Sequence, residues 1–558
     1  MNQASKEFAR RDASQPKGRQ VEEAALEEVS RLLGEMPRRR DMLIEALHLI
    51  QDGRGHLSAA HLAALAELFR MSQAEVYEVA TFYHHFDVVK EGEAAPAPVT
   101  IRVCESLTCT LAGSARLIET LKASTDPERL RIQPVPCIGA CDKAPAAQVG
   151  KRAMGKASAE ALTEAATGPL APVIPDYEGL AAYRATGGYG TYEKIRAGDI
   201  SPEAAIETMS DAGLRGLGGA GFPAGKKWGF VRGYEGPRLM TVNGDEGEPG
   251  TFKDRWWLER QPHRMLEGAL IAAHVVGCER IYIYMRDEYP AVLEILRAEV
   301  EALEHAGLAH VPIEIRRGAG AYICGEESAM IESIEGKRGL PRHRPPYIAE
   351  VGLFGRPTLN HNVETLLWVP EILRHGAAWF ADQGQDADHS GLRSYSVSGR
   401  VAEPGVKLAP AGIPLRQLIE EHCGGMAEGH ELKAFLPGGA SGGIFPASMA
   451  DTPLNFGCFE PHGGFIGSHA VMILSQQDSI REAVLNLIRF FEHESCGQCT
   501  PCRSGTAKAA AILAGDAPST DLLNDLVTVM TDSSICGLGQ AAGNPIRHLI
   551  RYFPEELA

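Results

Sequence analysis

The segment Cys496-Gly-Gln-Cys499-Thr-Pro-Cys502 carries three closely spaced cysteines, and Cys536 follows some distance further along the chain. Three thiolates two residues apart can bind three corners of an iron–sulfur cube, and a distant fourth thiolate completes the ligand set. Structural zinc is an alternative, although zinc sites usually take their ligands as two separated pairs. A disulfide is a further possibility. The spacing favours a [4Fe–4S] cluster and hence an electron carrier.

The composition limits the class of protein. A chain of 558 residues is too long for one hydrophobic core, so we expect several domains. Its 44% hydrophobic and 23% charged content is typical of a soluble globular protein, and its net charge of −17 argues against nucleic acid as a partner. The most apolar stretch, 265–276, is too short to span a membrane and is interrupted by Glu267 and His274. We therefore expect no membrane association.

Cysteine use points to metal binding in a reducing compartment. The chain has 12 cysteines and its N-terminus lacks an apolar signal core, which predicts a cytoplasmic location. Cys104, Cys109, Cys137 and Cys141 form two pairs on loops that follow predicted strands, a pattern that suits either zinc or a [2Fe–2S] cluster. The [4Fe–4S] pattern in the same chain favours iron here too. The other cysteines are expected in the core, namely Cys278, Cys324, Cys423 and Cys458.

Changes of pattern along the chain predict a multidomain α/β protein. Apolar residues at helical spacing, with a capping box at Ser72 and Glu75, indicate a helical bundle near the N-terminus. Alternating helices and strands in the middle of the chain indicate an α/β domain. The expected segments are a polar tail (1–35), a helical bundle (36–92), a small α/β unit with four cysteines (97–166), an α/β domain (167–395), a glycine-rich β domain (396–477) and a helical domain with the cluster (478–558).

A glycine-rich motif, Gly216-Leu-Gly218-Gly219-Ala-Gly221, matches the dinucleotide fingerprint G-x-G-x-x-G. A Rossmann site needs a strand before the motif and a helix directly after it. Here residues 205–214 have a helical pattern and Phe222-Pro223 follows, so we predict that this is not a Rossmann site. Glycines still allow backbone amides to approach a phosphate or a flat ring, and Lys227 adds positive charge nearby. A simple tight turn is the alternative.

Two acidic loops follow predicted strands. The first, Asn243-Gly-Asp245-Glu246-Gly-Glu248, places three carboxylates within four residues, and the second, 318–327, ends in Tyr322-Ile-Cys-Gly325-Glu326-Glu327. A metal, a sugar hydroxyl or a ring N–H donor would explain such carboxylates, and so would a solvated loop. Ligand sites of open α/β sheets lie at the carboxyl ends of strands. We therefore expect both loops to be walls of one pocket.

Long motifs in the chain resemble a known family. GLGGAGFPAGKKW (216–228), NGDEGEPGTFKDR (243–255), GAGAYICGEE (318–327), 336–346 and SCGQCTPCR (495–503) resemble the NADH-oxidising flavoprotein subunit of respiratory complex I, whose relatives include diaphorase subunits of soluble hydrogenases and formate dehydrogenases. Ala80-Thr-Phe-Tyr and the four cysteines of 104–141 resemble the small thioredoxin-like [2Fe–2S] subunit of the same complex. Complex I usually carries these parts on two chains, whereas here they are fused.

The resemblance implies a thioredoxin-like [2Fe–2S] domain, an FMN- and NAD-binding domain, a β-grasp-like domain of the SLBB type and a helical [4Fe–4S] domain. It implies that flavin mononucleotide is held by the glycine motif and by Asn243, Asp245, Glu246, Tyr322, Gly325, Glu326, His361 and Asn362, with Lys227 at its phosphate. It implies a nicotinamide nucleotide site lined by Phe222, Phe230, Glu248, Glu327 and Tyr347, of which Glu248 and Glu327 are the candidate catalytic residues. The cysteines of 104–141 would hold [2Fe–2S], and Cys496, Cys499, Cys502 and Cys536 would hold [4Fe–4S].

Three positions depart from the family pattern. Leu217 stands where the family often has arginine, His361-Asn362 stands where it usually has an Asn-Asn pair, and Tyr347 stands where phenylalanine is common. The first two departures put individual flavin contacts in doubt.

The fusion, together with 341–347, 421–426 and 436–443, looks most like the β subunit of a soluble NAD-dependent formate dehydrogenase. That resemblance implies a large molybdenum- or tungsten-bis-pterin partner subunit with further iron–sulfur clusters, on which formate is oxidised, and NAD(H) as the nucleotide. A hydrogenase diaphorase subunit or a complex I-like NADH dehydrogenase is the alternative. A scaffold module stapled by zinc is an alternative from a different class.

Overall fold

The structure is a computed structural model that describes residues 19–557. The described residues divide into two compact units, with the boundary between Pro96 and Ala97. Within 19–557, no helix has both the length and the apolar character needed to cross a bilayer.

The first unit is a small helical bundle with one short parallel pair of strands. Ser58 and Ser72 each cap the following helix in a capping box, which confirms the box predicted at Ser72 and Glu75. Its elements are α1 (Glu23–Leu33), α2 (Leu43–Arg54), β1 (Leu57–Ser58), α3 (Ala59–Phe69), α4 (Gln73–Phe82) and β2 (Val88–Val89).

Helix α1 corrects the predicted polar tail. Residues 1–18 of that tail lie outside the described residues, but 23–33 form a helix that buries Ala25, Val29 and Leu33. The three buried residues recur four apart and so share one face, a pattern that the charged residues between them obscured. The tail prediction is therefore wrong for this segment.

The second unit begins with a four-stranded sheet of strand order β4-β3-β5-β6. Parallel pairing of β3 with β4 brings Cys104, at the end of β3, beside Val135, two residues before Cys137. The elements are β3 (Val99–Cys104), α5 (Leu107–Leu111), α6 (Ser114–Ser124), β4 (Leu130–Val135), β5 (Ala147–Val149), β6 (Arg152–Met154) and α7 (Ala159–Ala165).

A parallel sheet of strand order β10-β7-β8-β9 follows, with helices packed against it. Its strands are buried, as expected for a parallel sheet that helices cover. The elements are α8 (Leu180–Ala185), α9 (Gly190–Ala197), α10 (Pro202–Asp211), α11 (Ala224–Gly233), β7 (Arg238–Gly244), α12 (Lys253–Leu258), α13 (Pro262–Val276), β8 (Cys278–Met285), α14 (Pro290–His305), β9 (Ile313–Arg317), α15 (Glu327–Ile334), β10 (Thr358–Asn362), α16 (Val363–His375) and α17 (Ala377–Ala381).

Helix α13 contains the most apolar stretch of the chain and is almost wholly buried in this domain. Its Glu267 is buried as well, and its carboxylate accepts hydrogen bonds from Tyr183 Oη at 2.7 Å and from the backbone N–H of Tyr189 at 2.9 Å. The helix is therefore a core element of a globular domain.

A mixed five-stranded sheet of order β12-β11-β15-β13-β14 and a helical C-terminus complete the unit. The sheet elements are β11 (Leu392–Gly399), β12 (Gly405–Pro410), α18 (Leu415–Gln417), β13 (Leu432–Leu436), β14 (Phe445–Pro446) and β15 (Ala470–Ser475). The last helices are α19 (Ile480–His493), α20 (Thr500–Leu513), α21 (Thr520–Ser533), α22 (Gly537–Ala541) and α23 (Asn544–Tyr552). The predicted multidomain α/β fold class is confirmed.

Candidate functional site

A cavity of about 340 Å³ lies at the carboxyl ends of β7 and β10. These strands are parallel neighbours, with Asn243 paired to Asn362, so the loops that follow them meet at one edge of the sheet. Ten of the residues expected from the sequence line the cavity, namely Gly218, Gly219, Asn243, Asp245, Glu246, Glu248, Tyr322, Gly325, Glu326 and Asn362. The two acidic loops and the glycine motif are thus walls of one pocket.

The glycine motif lies between two helices, as the rejection of a Rossmann site requires. Helix α10 precedes it, and α11 begins at Ala224. Gly219 has φ +126°, a backbone conformation that residues with a side chain rarely adopt, and it faces the cavity. The preceding Leu217 is fully buried in the core, and its N–H donates to Thr365 Oγ1 at 2.9 Å. The motif therefore presents bare backbone to the cavity.

Asp245 carries the most informative polar atom of the cavity. Its Oδ2 is buried and has no hydrogen-bond partner within residues 19–557, and burial raises the pKa of this carboxyl. Asn243 beside it is fixed, because its Nδ2 donates to the carbonyl oxygen of Gly325 at 2.8 Å and its Oδ1 accepts from the N–H of Asp245 at 3.0 Å. A buried carboxyl oxygen without a partner is costly unless a ligand hydrogen-bonds to it.

Glu248 links the first acidic loop to two other parts of the cavity wall. Its carboxylate accepts from the N–H of Ser441 at 2.7 Å, from Ser441 Oγ at 3.2 Å and from the hydroxyl of Tyr322. Burial raises the pKa of Glu248. A β-carbon at Gly439 would lie 2.6 Å from Glu248 Cγ, so this glycine is required for the close approach. The carboxylate is held in one orientation.

Glu246 lines the cavity but directs its carboxylate away into the protein. The carboxylate accepts from the N–H groups of Asp254 at 2.8 Å and Arg255 at 3.2 Å, and from Tyr289 Oη at 3.0 Å. Burial is the main reason that the pKa of Glu246 rises to about 7. This side chain supports the loop.

Glu326 and Glu327 differ in role. Glu326 caps helix α15, since its carboxylate accepts from the N–H groups of Ser328 and Ala329 at 3.0 and 2.9 Å. Glu327 Oε2 lies 4.0 Å from Lys227 Nζ, which also donates to the carbonyl oxygen of Asn360 at 3.2 Å. Burial lowers the pKa of Lys227. Neither Glu327 nor Lys227 lines the cavity.

The remaining predicted residues lie outside the cavity. Gly216 and Gly221 belong to the turn beneath it, and His361 is buried, accepting from Trp228 Nε1 at 2.7 Å. Burial holds the pKa of His361 well below its usual range, so its ring is neutral. Three predicted aromatic side chains are exposed to solvent, at 43% for Phe222, 60% for Phe230 and 57% for Tyr347. The rings of Phe222 and Phe230 lie 6.2 Å apart.

Sequence reasoning missed the lining residues of the two following domains. They are Gly438, Ser441, Phe465, Gly467, Ser468, Gly537, Leu538 and Ala541. It also assigned no role to Lys253, whose buried Nζ lies 2.8 Å from Asp254 Oδ1 and 2.9 Å from Glu364 Oε2. The glycine-rich runs 436–443 and 463–467 are the kind of pattern that could have indicated close backbone approach in this region.

The four cysteines of the first set meet in a buried cluster. Cys137 Sγ lies 3.3 Å from Cys141 Sγ, and Cys104 neighbours both Cys109 and Cys137. Cys137 and Cys141 pack against the fully buried Phe252, whose chain neighbours Thr251 and Lys253 line the cavity. Four convergent buried thiols fit a [2Fe–2S] cluster beside the cavity wall.

The second cysteine set also adjoins residues of the cavity wall. Cys496 and Cys499 lie beside Cys502 at the start of α20, and Cys536 faces Cys496 from the start of α22. Cys536 directly precedes Gly537 and Leu538, which line the cavity. The tertiary fold therefore brings both thiol sets next to one pocket.

This geometry defines a class of protein. A pocket with bare backbone, a buried partnerless carboxyl oxygen and two flanking thiol sets fits an iron–sulfur flavoprotein that exchanges electrons with a nucleotide. Asp245 offers the atom that a flavin ring would satisfy, and Gly219 offers the room for close approach.

Family models match most of the chain. They are the Nuo51 FMN-binding domain at residues 209–371, the thioredoxin-like [2Fe–2S] ferredoxin at 29–167, the iron–sulfur binding region of NADH-ubiquinone oxidoreductase-F at 482–558 and the SLBB domain at 394–445. These matches resolve the choice between zinc and iron in favour of iron–sulfur clusters. The predicted cofactors are confirmed: FMN, one [2Fe–2S] cluster, one [4Fe–4S] cluster and NAD(H).

Similarities to known proteins point to the same family as the family models. The F 2 polypeptide of the NADH-quinone oxidoreductase of Rhizobium meliloti (strain 1021) is 41% identical over 399 residues, covering 69% of this chain and 94% of that relative. The F polypeptide of the same enzyme of Aquifex aeolicus (strain VF5) is 42% identical over 397 residues, covering 68% of this chain and 91% of that relative. A chain of the crystal structure of the NAD⁺-reducing [NiFe]-hydrogenase in the air-oxidized state is 36% identical with a TM-score of 0.82, covering 94% of both chains. This chain belongs to the family of the F polypeptides of NADH-quinone oxidoreductases.

Proposed function

We propose that this chain is the NAD(H)-reacting diaphorase subunit of a cytoplasmic NAD-dependent formate dehydrogenase, in which a separate molybdenum or tungsten subunit oxidises formate. The observation that carries the diaphorase role is a cavity flanked by both thiol sets, with the Oδ2 of Asp245, which has no partner among residues 19–557, in its wall. A bound flavin mononucleotide supplies the chemistry that exchanges electron pairs with a nicotinamide nucleotide and single electrons with iron–sulfur clusters.

The residues of the cavity would bind and orient the two ring systems and exclude water. Gly218 and Gly219 would allow the flavin to approach backbone, while Asn243, Asp245 and Asn362 would supply polar contacts at its edge. The eight cysteines of the two thiol sets would be the cluster ligands. Cysteine ligands in such number fit a reducing compartment, which supports the cytoplasmic location.

The nucleotide would bind at the open side of the cavity. The exposed rings of Phe222, Phe230 and Tyr347 offer apolar faces on which the nucleotide could stack. Large apolar side chains are unfavourable in contact with water, and a stacked ligand would cover them. Glu248 is oriented by Ser441 and Tyr322. Its carboxylate would therefore be preorganised to contact the bound nucleotide.

Replacing Glu248 by alanine tests this assignment. The KM for NADH in an NADH:ferricyanide assay is expected to rise about tenfold or more, because hydrogen bonds to a carboxylate contribute about 1.5–3 kcal/mol each. Bound FMN should stay close to one per chain. The control is Glu421→Ala, which removes an exposed carboxylate far along the chain from the acidic loops. Unchanged KM and kcat in Glu248→Ala would remove this residue from the site.

The formate dehydrogenase assignment is supported by the stretches 341–347, 421–426 and 436–443, whereas the fusion of both parts in one chain fits either candidate. The second candidate is a hydrogenase diaphorase subunit, which the similarity to the NAD⁺-reducing [NiFe]-hydrogenase chain over 94% of both lengths favours.

Isolation of the native complex separates these candidates. The tagged chain is purified from its host, the large partner is identified by mass spectrometry, and its metals are measured. We expect a molybdenum- or tungsten-containing pterin subunit, and formate-dependent NAD⁺ reduction by the complex that the isolated chain lacks. A nickel–iron subunit with hydrogen-dependent NAD⁺ reduction would overturn the formate assignment in favour of the second candidate.

A further inference from the structure

A buried arginine joins the thiol loop of the first cysteine set to the loop that lines the flavin cavity. Arg286 directly follows β8 and is 4% exposed. Its Nη2 donates to the carbonyl oxygen of Cys137 at 2.8 Å, and its Nη1 donates to the carbonyl oxygen of Glu246. One guanidinium therefore bridges two loops whose residues belong to different domains.

Arg255 strengthens the same connection. Its Nε donates to the carbonyl oxygen of Gly139 at 2.8 Å, and its Nη2 lies 3.3 Å from Asp142 Oδ1. Its own N–H donates to the carboxylate of Glu246 at 3.2 Å. The thiol loop 137–142 is thus held at two backbone carbonyls by arginines that also contact the cavity loop.

The ring of Tyr289 packs against the thiol loop and restricts its position. Its hydroxyl donates to Glu246 Oε2 at 3.0 Å, and the guanidinium carbon of Arg286 lies 5.0 Å from its ring centroid. Gly139 packs directly on this ring, since a β-carbon there would lie 2.0 Å from Tyr289 Oη. Gly139 also has φ +68°, so both its backbone and its surroundings require glycine.

The guanidinium also brings a buried positive charge next to a thiol ligand. Glu288 provides the opposing charge, with its Oε1 2.9 Å from Arg286 Nη2. Charges in a buried site are weakly screened by salt, and the reduction potential of an iron–sulfur cluster depends on nearby charge and hydrogen bonding. A positive charge favours the reduced cluster because reduction adds an electron, and a negative charge opposes it.

We propose that Arg286 is a positioning residue that fixes Cys137 against the flavin loop and raises the reduction potential of the [2Fe–2S] cluster, while Glu288 lowers it. This inference rests on the proposed assignment of the cysteines of 104–141 as cluster ligands. It concerns the potential of one cluster, so the other cluster serves as an internal reference.

The test is a redox titration of the holoenzyme followed by electron paramagnetic resonance, which resolves the two clusters. Arg286→Gln should lower the midpoint potential of the [2Fe–2S] cluster and alter its g-values, and Glu288→Gln should raise that midpoint. Neither variant should move the [4Fe–4S] midpoint. Arg297→Gln is the control, because Arg297 carries the same charge on an exposed face of α14 and pairs only with the exposed Glu294 among the described ion pairs.

Opposite shifts in the two variants support the proposal, and an unmoved [2Fe–2S] midpoint in both overturns it. Selective loss of the [2Fe–2S] signal in Arg286→Gln supports the positioning role, and the sign of the shift in Glu288→Gln then decides the electrostatic role. Arg286→Lys, which keeps the charge but not the two-branched donor, should hold the midpoint near that of the parent while altering the g-values. If the parent enzyme itself shows no [2Fe–2S] signal, the assignment of the cysteines fails instead.

Discussion

The structure predicts a different loss of FMN affinity for an alanine substitution at each of three glycines in the motif 216–221. Replacing Gly219 by alanine places a side chain on a residue with φ +126° that lines the flavin cavity. Backbone strain of this kind costs about 1–3 kcal/mol. Without flavin, the loop can relax and avoid the strained conformation. The strain energy is therefore expected to reduce the free energy of FMN binding. The Kd for FMN should therefore rise by about 5- to 140-fold.

The same motif contains its own controls. Gly216 has an ordinary φ, and a β-carbon there would meet nothing closer than the carbonyl oxygen of Phe222 at 3.5 Å, so Gly216→Ala should bind FMN within about twofold of the parent. Gly221 has φ +63°, and its β-carbon would lie 2.7 Å from the ring of Phe456. Gly221→Ala therefore combines strain with a clash and should bind FMN at least as poorly as Gly219→Ala.

Dilution of the holoprotein with detection of free FMN by its fluorescence gives the three Kd values. Iron content and circular dichroism show whether each variant is folded with its clusters. The reasoning is wrong if Gly219→Ala binds FMN as tightly as the parent, or if Gly216→Ala loses as much affinity as Gly219→Ala.

Three further predictions concern the cluster and the stability of the fold. Replacing Cys499 by alanine should abolish the [4Fe–4S] spectrum and leave FMN-dependent NADH:ferricyanide activity; loss of FMN from a folded variant would contradict this division. Replacing Gly268 by alanine should lower the free energy of unfolding by about 1–3 kcal/mol, because the new β-carbon would lie 2.0 Å from a carbonyl oxygen of α16. Gly229→Ala, on the open face of α11, should instead raise the free energy of unfolding by up to about 1 kcal/mol. Equal melting temperatures for the two variants would refute the clash. Burial lowers the pKa of His548 from 6.5 to about 4 in the folded protein. As the pH falls from 6.5 to 4, this imidazole therefore binds a proton in the unfolded chain but not in the folded one. The free energy of unfolding should fall by about 3 kcal/mol across this pH range. The pH dependence of the melting temperature should be smaller in His548→Gln, and an identical dependence would show that this imidazole is not the cause.

Local patterns predicted what depends on neighbouring residues in the chain. The capping box at Ser72 and the rejection of a Rossmann site at 216–221 needed only the order of residues, and both agree with the structure. The prediction of a polar tail failed at 23–33, where charged residues stand between the three apolar positions that form one buried face.

Tertiary packing decided which predicted residues meet. His361 and Asn362 are adjacent in sequence, yet Asn362 lines the cavity while His361 turns to Trp228 on the opposite face, as alternation along a strand requires. Ser441 became part of the wall because the five-stranded sheet packs over the first acidic loop. Contacts of this kind depend on how domains pack, which no local pattern encodes.

By itself the sequence determined the donors: thiols in two ligand sets, carboxylates after strands, and glycines where backbone must be bare, since these depend on residue type and spacing. Only the tertiary structure placed Phe252 between one thiol set and the cavity wall, and brought Gly537, the residue after Cys536, into that wall. The physical reason is that electron transfer needs proximity in space, and the chain creates that proximity by burying the loops of separate domains against one another.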